Sequence, residues 1–275
     1  MPSRSRPVIL MVDDDVDTRE MYQWCLEARG FDVLSAGTAR QGFALAEQHR
    51  PDALVTDLTL PGEDGFVLAT RIRGAGPGLA EIPAILVSGR AFVGDSGETA
   101  LRLFDRVLLK PVLPDHLIEN LVPLLLDRTA AQLDRQLRAV RLRLERVPRT
   151  SDVSRVLTTL NEVADGGDPP AALLADSDAF CIDANDAACA LTGRSRDELR
   201  KMHLWDLSPK PGPVDGQAAW ARFVASGAES GAYVLRSASG AEIEARFAAS
   251  AHVLPDCHLA LLQSLPAALT RDSRL

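Results

Sequence analysis

No stretch of this sequence is long and apolar enough to cross a bilayer. The longest apolar runs, residues 8–12 and 121–126, fall far short of the roughly 20 residues that a spanning helix needs, and Pro123 interrupts the second. The basic N-terminal residues Arg4 and Arg6 are not followed by an apolar leader core with a small-residue cleavage site. The four cysteines, Cys25, Cys181, Cys189 and Cys257, form no C-x-x-C pair. A disulfide framework is therefore not expected, and the thiols read as reduced, in a cytoplasmic setting without membrane contact. Nor is the chain poor in apolar residues: they make up 46% of it, with 25% charged, which excludes wholesale disorder and the collagen-like or low-complexity classes. At 275 residues the chain has room for two domains, each able to bury a core.

Excess positive charge is also missing. A net charge of −8 argues against a whole-protein nucleic-acid binder. The charge is unevenly spread: residues 1–127 carry a net −7, residues 128–149 a net +5 and residues 150–275 a net −6. Two acidic blocks around a short basic segment suggest a domain, a connector and a second domain.

The first block alternates two patterns. Residues 8–12 (VILMV) form the continuous apolar run of a strand buried on both faces. Further short strands are expected at 31–35, 53–56, 84–87 and 107–109. Helical spacing follows each, at 17–29, 38–49, 66–73, 97–104 and 115–126, with Gly30 as a stop and turn residues at 61–65. Five strand–helix units predict an α/β doubly wound fold, a five-stranded parallel sheet with helices on both faces.

Ligands of such folds bind beyond the carboxyl ends of the strands. Those ends carry Asp13 and Asp14 after the first strand, Asp57 after the third, Ser88 after the fourth and Lys110 after the fifth. Crowded carboxylates repel one another unless a cation joins them, and an all-oxygen ligand set favours Mg²⁺. A carboxylate can also act as a nucleophile toward phosphorus and form an aspartyl phosphate. Mg²⁺ and Lys110 supply positive charge for the phosphoryl oxygens, and Ser88 offers a hydroxyl that can report them. Each residue alone reads as an ordinary cap or loop residue. Together, spread over the strand ends in this order, they define a site.

Residues 7–127 resemble the receiver domain of bacterial two-component response regulators. The motifs that carry the resemblance are MVDDD (11–15), TDLTLPGEDGF (56–66), LVSG (86–89) and LLKPV (108–112). The resemblance implies a flavodoxin-like receiver and a phosphoprotein of a phosphorelay. Asp57 would accept a phosphoryl group from a phosphohistidine on a sensor histidine kinase or phosphotransfer protein. Asp14, Asp57 and the backbone carbonyl of Thr59 would bind Mg²⁺ directly, with Asp13 acting through water. Ser88 would move toward the phosphate, Lys110 would pair with it, and Lys110–Pro111 would be cis. Such a protein is not an enzyme beyond slow autophosphorylation from small phosphodonors and autodephosphorylation, with a water near Thr59 and Arg90. Two features depart from the family pattern. The aromatic residue usual three positions before the lysine is Val107 here, and residues 90–104 match the usual fourth-helix region poorly.

The basic connector has its own period. Leu126, Ala130, Leu133, Leu137, Val140, Leu144 and Val147 are spaced by 4, 3, 4, 3, 4 and 3, an a/d seam over about three heptads. Arg128, Arg135, Arg138, Arg141, Arg143 and Arg146 lie mostly off it. This reads as a coiled-coil helix that makes a homodimer and transmits the receiver's state; the other reading is an amphipathic helix packed on its own chain. No aromatic residues interleave the arginines, so DNA binding is not expected. Pro148 ends the pattern, a second helical stretch covers 153–163, and Gly166–Pro170 marks a boundary.

The last block shows strand patterns at 171–175 and 179–184 and short helices at 185–191 and near 199. A further helix at 218–226 precedes three strands at 233–237, 242–248 and 258–265, with Ser239-Gly240 as a hairpin turn. This α+β pattern with an antiparallel sheet resembles a PAS domain, through IDANDAACALTGRSRDEL (182–199) and LWDLSP (204–209). PAS domains are sensor or dimerisation modules, some with haem, flavin or small ligands. The Asn-Cys-Arg-Phe motif of the light-sensing type is missing. His203, His252 and His258 are the histidines that could ligate haem, and Cys181 and Cys189 read as small core residues.

The division expected is a receiver at 1–127, a helical linker at 128–168, a PAS domain at 169–265 and a frayed tail at 266–275. No helix-turn-helix, kinase box, phosphoacceptor histidine segment, cyclase or phosphodiesterase signature is present, so no effector domain is expected. The functional expectation is signal transduction by a response regulator that acts through protein–protein contacts of its linker helix and PAS domain on a downstream protein. The alternatives are a PAS-based small-ligand or redox sensor with the receiver as a docking module, or the regulatory part of a hybrid histidine kinase.

Overall fold

The computed structural model describes residues 6–91, 95–145, 152–164, 169–209 and 213–270. These divide into two compact units, one of residues 6–128 with 266–270, the other of residues 129–265.

In the first unit, β1 (Val8–Val12), β2 (Asp32–Ala36), β3 (Ala53–Asp57), β4 (Ala84–Ser88) and β5 (Arg106–Leu109) form a parallel sheet in the order β2-β1-β3-β4-β5. Every residue of β1, β3 and β4 is buried. Helices cover both faces, so these strands need apolar side chains at successive positions and not at alternate ones. The helices α1 (Val16–Ala28), α2 (Ala39–His49) and α3 (Gly65–Gly74) each start at a side-chain cap. Asp15, Thr38 and Asp64 accept hydrogen bonds from the N–H groups of Thr18, Gln41 and Val67, each worth about 1 kcal/mol. Helix α4 spans Asp95–Leu103. The strand order brings the C-terminal ends of β1, β3, β4 and β5 side by side: Val12 pairs with Thr56, Asp57 with Val87, and Ser88 with Leu109.

Helix α5 (Pro114–Glu145) is continuous over 32 residues with Pro123 inside it, so the helix expected at 115–126 and the linker helix expected from Leu126 onward are one. Residues 266–270 depart from expectation. Residues 267–269 form a 3₁₀ turn in which Ala268 and Leu269 are buried, and Ala268 Cβ lies 3.6 Å from where a side chain on Gly30 would begin. Two apolar residues with a place to be buried hold this turn on the first unit, where a frayed tail was expected. Residues 271–275 lie outside the described residues.

The second unit contains α6 (Ser154–Val163), β6 (Ala171–Ala175), β7 (Cys181–Ala184), α7 (Asp186–Thr192), α8 (Arg196–Leu199), α9 (Pro213–Ser226), β8 (Ala228–Arg236), β9 (Glu242–Leu254) and β10 (Cys257–Ser264). Its sheet runs β7-β6-β10-β9-β8 with every pairing antiparallel. Alternation along β6 sends Ala172 and Leu174 to one face and Ala171 and Leu173 to the other, and both faces are covered. Ala171 and Leu173 pack with Ala184 of β7 and with Ala188, Leu199 and Leu207 of the short helical segments.

The opposite face corrects the reading of the linker stripe as a seam between two copies. Leu133, Leu137, Val140 and Leu144 are buried within their own chain, against Val156, Leu157 and Leu160 of α6 and Leu174, Leu259 and Leu261 of the sheet. The period is the one expected, but the surface it meets is the sheet face of the same unit. That face would otherwise stand bare, and burying each leucine on it contributes about 1.5–3 kcal/mol. Val147, Pro148 and Gly166–Asp168 lie outside the described residues.

Candidate functional site

The sheet topology assembles the polar strand ends at one edge. Asp13 and Asp57 are buried, Asp14 is exposed, and one carboxylate oxygen from each lies within 4.8 Å of the others. Lys110 Nζ stands between two of them, 3.0 Å from Asp13 Oδ2 and 3.1 Å from Asp57 Oδ2. Burial opposes the charge on Lys110, but the hydrogen bonds to Asp13 and Asp57 outweigh it and hold the ammonium above the usual lysine range. The remaining oxygens are oriented by backbone: Asp13 Oδ1 accepts from the Asp15 N–H at 3.0 Å, and Asp57 Oδ1 from the Leu58 N–H at 2.7 Å.

Ser88 is buried at the end of β4. Its Oγ donates to the Arg90 carbonyl at 3.0 Å and accepts from the Arg90 N–H at 3.1 Å, so the hydroxyl is folded onto its own loop. Thr59 is exposed in the loop after β3. The Lys110–Pro111 peptide is cis, and the Lys110 N–H donates to the Ser88 carbonyl at 2.8 Å.

Two residues that sequence reasoning missed support this edge. Tyr22 of α1 is buried and its hydroxyl donates to the Val112 carbonyl at 2.7 Å, which fixes the turn after Lys110. Gly65 opens α3 where a Cβ would strike the Asp57 carbonyl oxygen; glycine alone permits this approach. Val107 is half-buried and packs on the core beside Leu86, Leu103 and Phe104. Phe104 is buried edge-on to Phe66, with ring centroids 6.0 Å apart. Arg73 binds the Leu103, Ala80 and Ile82 carbonyls and Asp105, which ties the end of α4 to α3. Residues 92–94 of the poorly matching stretch lie outside the described residues.

In the second unit, Cys181 and Cys257 are buried, and burial pushes their thiols up to about 11 and about 12. Such thiols stay protonated and are poor nucleophiles at neutral pH. His203 stacks on Trp205 at 4.5 Å, and His258 has both ring nitrogens facing protein partners.

An acidic pocket at the strand ends of a β2-β1-β3-β4-β5 parallel sheet, with the lysine just after β5 bridging two carboxylates, defines a receiver-type site. Residues 9–122 match the response regulator receiver domain family, and residues 166–251 match the PAS fold. The chain belongs to the response regulator receiver family, with a PAS fold following the receiver. It is similar to an uncharacterised 14.6 kDa protein of Leptolyngbya boryana, 40% identical over 111 residues that cover 40% of this chain and 83% of that protein. It is 28% identical over 151 residues to the DNA-binding dual master transcriptional regulator RpaA of Synechocystis, covering 55% of this chain and 56% of the regulator. The chain spans about half the length of the transcriptional regulators it matches. Among solved structures it resembles a CheY-like receiver domain protein from Methanospirillum hungatei, with 28% identity and a TM-score of 0.42, covering 44% of this chain and 95% of that one. Among the described residues, no helix is long and apolar enough to cross a membrane.

Proposed function

We propose that the chain is a response regulator of a two-component phosphorelay, phosphorylated on Asp57 by a histidine kinase or phosphotransfer protein. The observation that carries this reading is the bridge from Lys110 Nζ to Asp13 and Asp57 within a cluster of three carboxylates. One ammonium against three carboxylates leaves two negative charges, which suits one divalent cation. The donors are all oxygen and one of them is exposed, a set that fits Mg²⁺. Asp14, Asp57 and the Thr59 carbonyl would hold the ion, with Asp13 reaching it through water. Bound there, Mg²⁺ supplies positive charge for the phosphoryl oxygens.

The chain's own residues do the rest. The Asp57 carboxylate attacks phosphorus; the new O–P bond forms as the N–P bond of the donor phosphohistidine breaks and its electron pair stays on the imidazole. Lys110 releases Asp57 and follows the phosphoryl oxygens. Ser88 leaves the Arg90 carbonyl and donates to the phosphate. Autophosphorylation from acetyl phosphate and slow autodephosphorylation use the same site, with a water admitted near Thr59 and Arg90. The output passes through protein contacts of the PAS unit and the helix that joins it to the receiver, without DNA contact.

The test is BeF₃⁻ with Mg²⁺, which mimics the aspartyl phosphate. The full chain gains thermal stability with both present and not with either alone, and Asp57→Asn gains none. An equal gain in Asp57→Asn contradicts the reading.

A further inference from the structure

Strands β9 and β10 are joined by a tight turn at residues 255–256, and this turn is organised around one buried imidazole. His258 is 1% exposed. Its Nδ1 accepts the backbone N–H of His252 at 3.2 Å. A backbone N–H only donates, so Nδ1 is bare and the neutral ring carries its proton on Nε2. Nε2 lies 3.5 Å from Ser177 Oγ, and the Ser177 hydroxyl donates to Asp256 Oδ1 at 2.5 Å. The Ser177 carbonyl in turn accepts from Trp220 Nε1 at 3.0 Å. The rings of Trp220, Phe223 and His252 enclose the imidazole, with centroids 5.4, 6.0 and 4.9 Å away.

Two residues, His252 near the end of β9 and Asp256 in the turn, are held in the left-handed region. His252 has φ 55° and Asp256 has φ 53°. Non-glycine residues stay there only where contacts over-determine the backbone. The contacts that do so are the His252 N–H to His258 and the Ser177 bonds to Asp256.

We propose that His258 is a proton-operated latch on the β9–β10 turn. A proton taken from solvent has one free place, the Nδ1 lone pair. Once it binds there, the His252 N–H faces another N–H and loses its acceptor. The turn is then released, and the PAS unit responds to pH independently of phosphorylation at Asp57.

The charged surroundings are mixed. His252 faces the ring from β9, Asp256 from the turn and Asp176 from the turn before β7, while α9 presents the Trp220 and Phe223 rings. Burial, then the His252 charge, hold His258 below the usual histidine range, against the pull of Asp256 and Asp176. The latch is therefore closed at neutral pH, and opening it takes more acid than an ordinary histidine requires.

The test is a ¹⁵N NMR titration of the full chain from about pH 7.5 down to the pH at which the His258 ring is fully protonated, reading the His258 ring nitrogens and exchange of the His252 amide. At the upper end the ring shows the Nε2–H tautomer and the amide is protected. As His258 takes its proton, amide exchange corrected for its intrinsic pH dependence rises at least about tenfold. His252→Asn keeps the backbone donor and tolerates positive φ, so it retains the transition. His258→Gln abolishes it, and should that variant not fold, the wild-type titration decides alone. An Nδ1–H tautomer at the upper end, or a His252 amide still protected once His258 is protonated, overturns the latch.

Discussion

Gly65 shows how one absent carbon shapes the site. A Cβ at this position would overlap the Asp57 carbonyl oxygen, which sits on rigid strand backbone and not at the end of a flexible side chain. Gly65→Ala must therefore push α3 away from β3. The expected loss is about 1–3 kcal/mol in urea unfolding, as for other overpacked sites, and an unchanged midpoint would refute this account of the loop. The buried thiols make a second prediction at this scale. Their folded values of about 11 and about 12 lie above the ordinary value of 9.0. Above pH 9 the unfolded chain loses these protons first, so the stabilising contribution, fully present below the ordinary value, fades as pH rises from there toward the folded values. The urea midpoint of the wild type falls across this window, and it falls less in a variant with both Cys181→Ala and Cys257→Ala.

At the scale of elements, α5 decides between two readings of one stripe. Leu137 is buried among its own chain's residues. Leu137→Ala is expected to cost about 2–5 kcal/mol, with a melting temperature that does not depend on protein concentration. A concentration-dependent melt would mean that the stripe is buried between copies. The case shows what a sequence records. The 4, 3, 4, 3 spacing states that one face of α5 is buried, and says nothing of what covers it. Strands β1, β3 and β4 were legible because burial on both faces leaves runs such as VILMV. The placing of Asp13, Asp14, Asp57, Ser88 and Lys110 at one sheet edge was legible because each ends or follows a strand. Tyr22 and Gly65 were not, because their work depends on partners 90 residues away or on a collision that only backbone packing defines. The turn at Ala267–Leu269 is three residues long and too short to carry a period.

At the scale of the whole molecule, the uneven spread of charge follows the division into two units. The acidity of the first unit includes a cluster that asks for a cation, and the basic connector carries a helix on which Arg135, Arg138, Arg141 and Arg143 are exposed while Leu133, Leu137 and Leu144 are buried. Two folds share one chain: a receiver with an acidic cluster at its strand ends, and a PAS unit with one face of its sheet covered by the linker helices. The central claim is that Asp57 is the residue phosphorylated and that the site needs a divalent ion. The most direct check is intact-mass and peptide mapping of the full chain after incubation with acetyl phosphate, with Mg²⁺ or with excess chelator. A single labile phosphoryl adduct on Asp57, formed with Mg²⁺, missing with chelator and missing in Asp57→Asn, is the predicted result. No adduct in the presence of Mg²⁺, or an adduct that persists in Asp57→Asn, would contradict it.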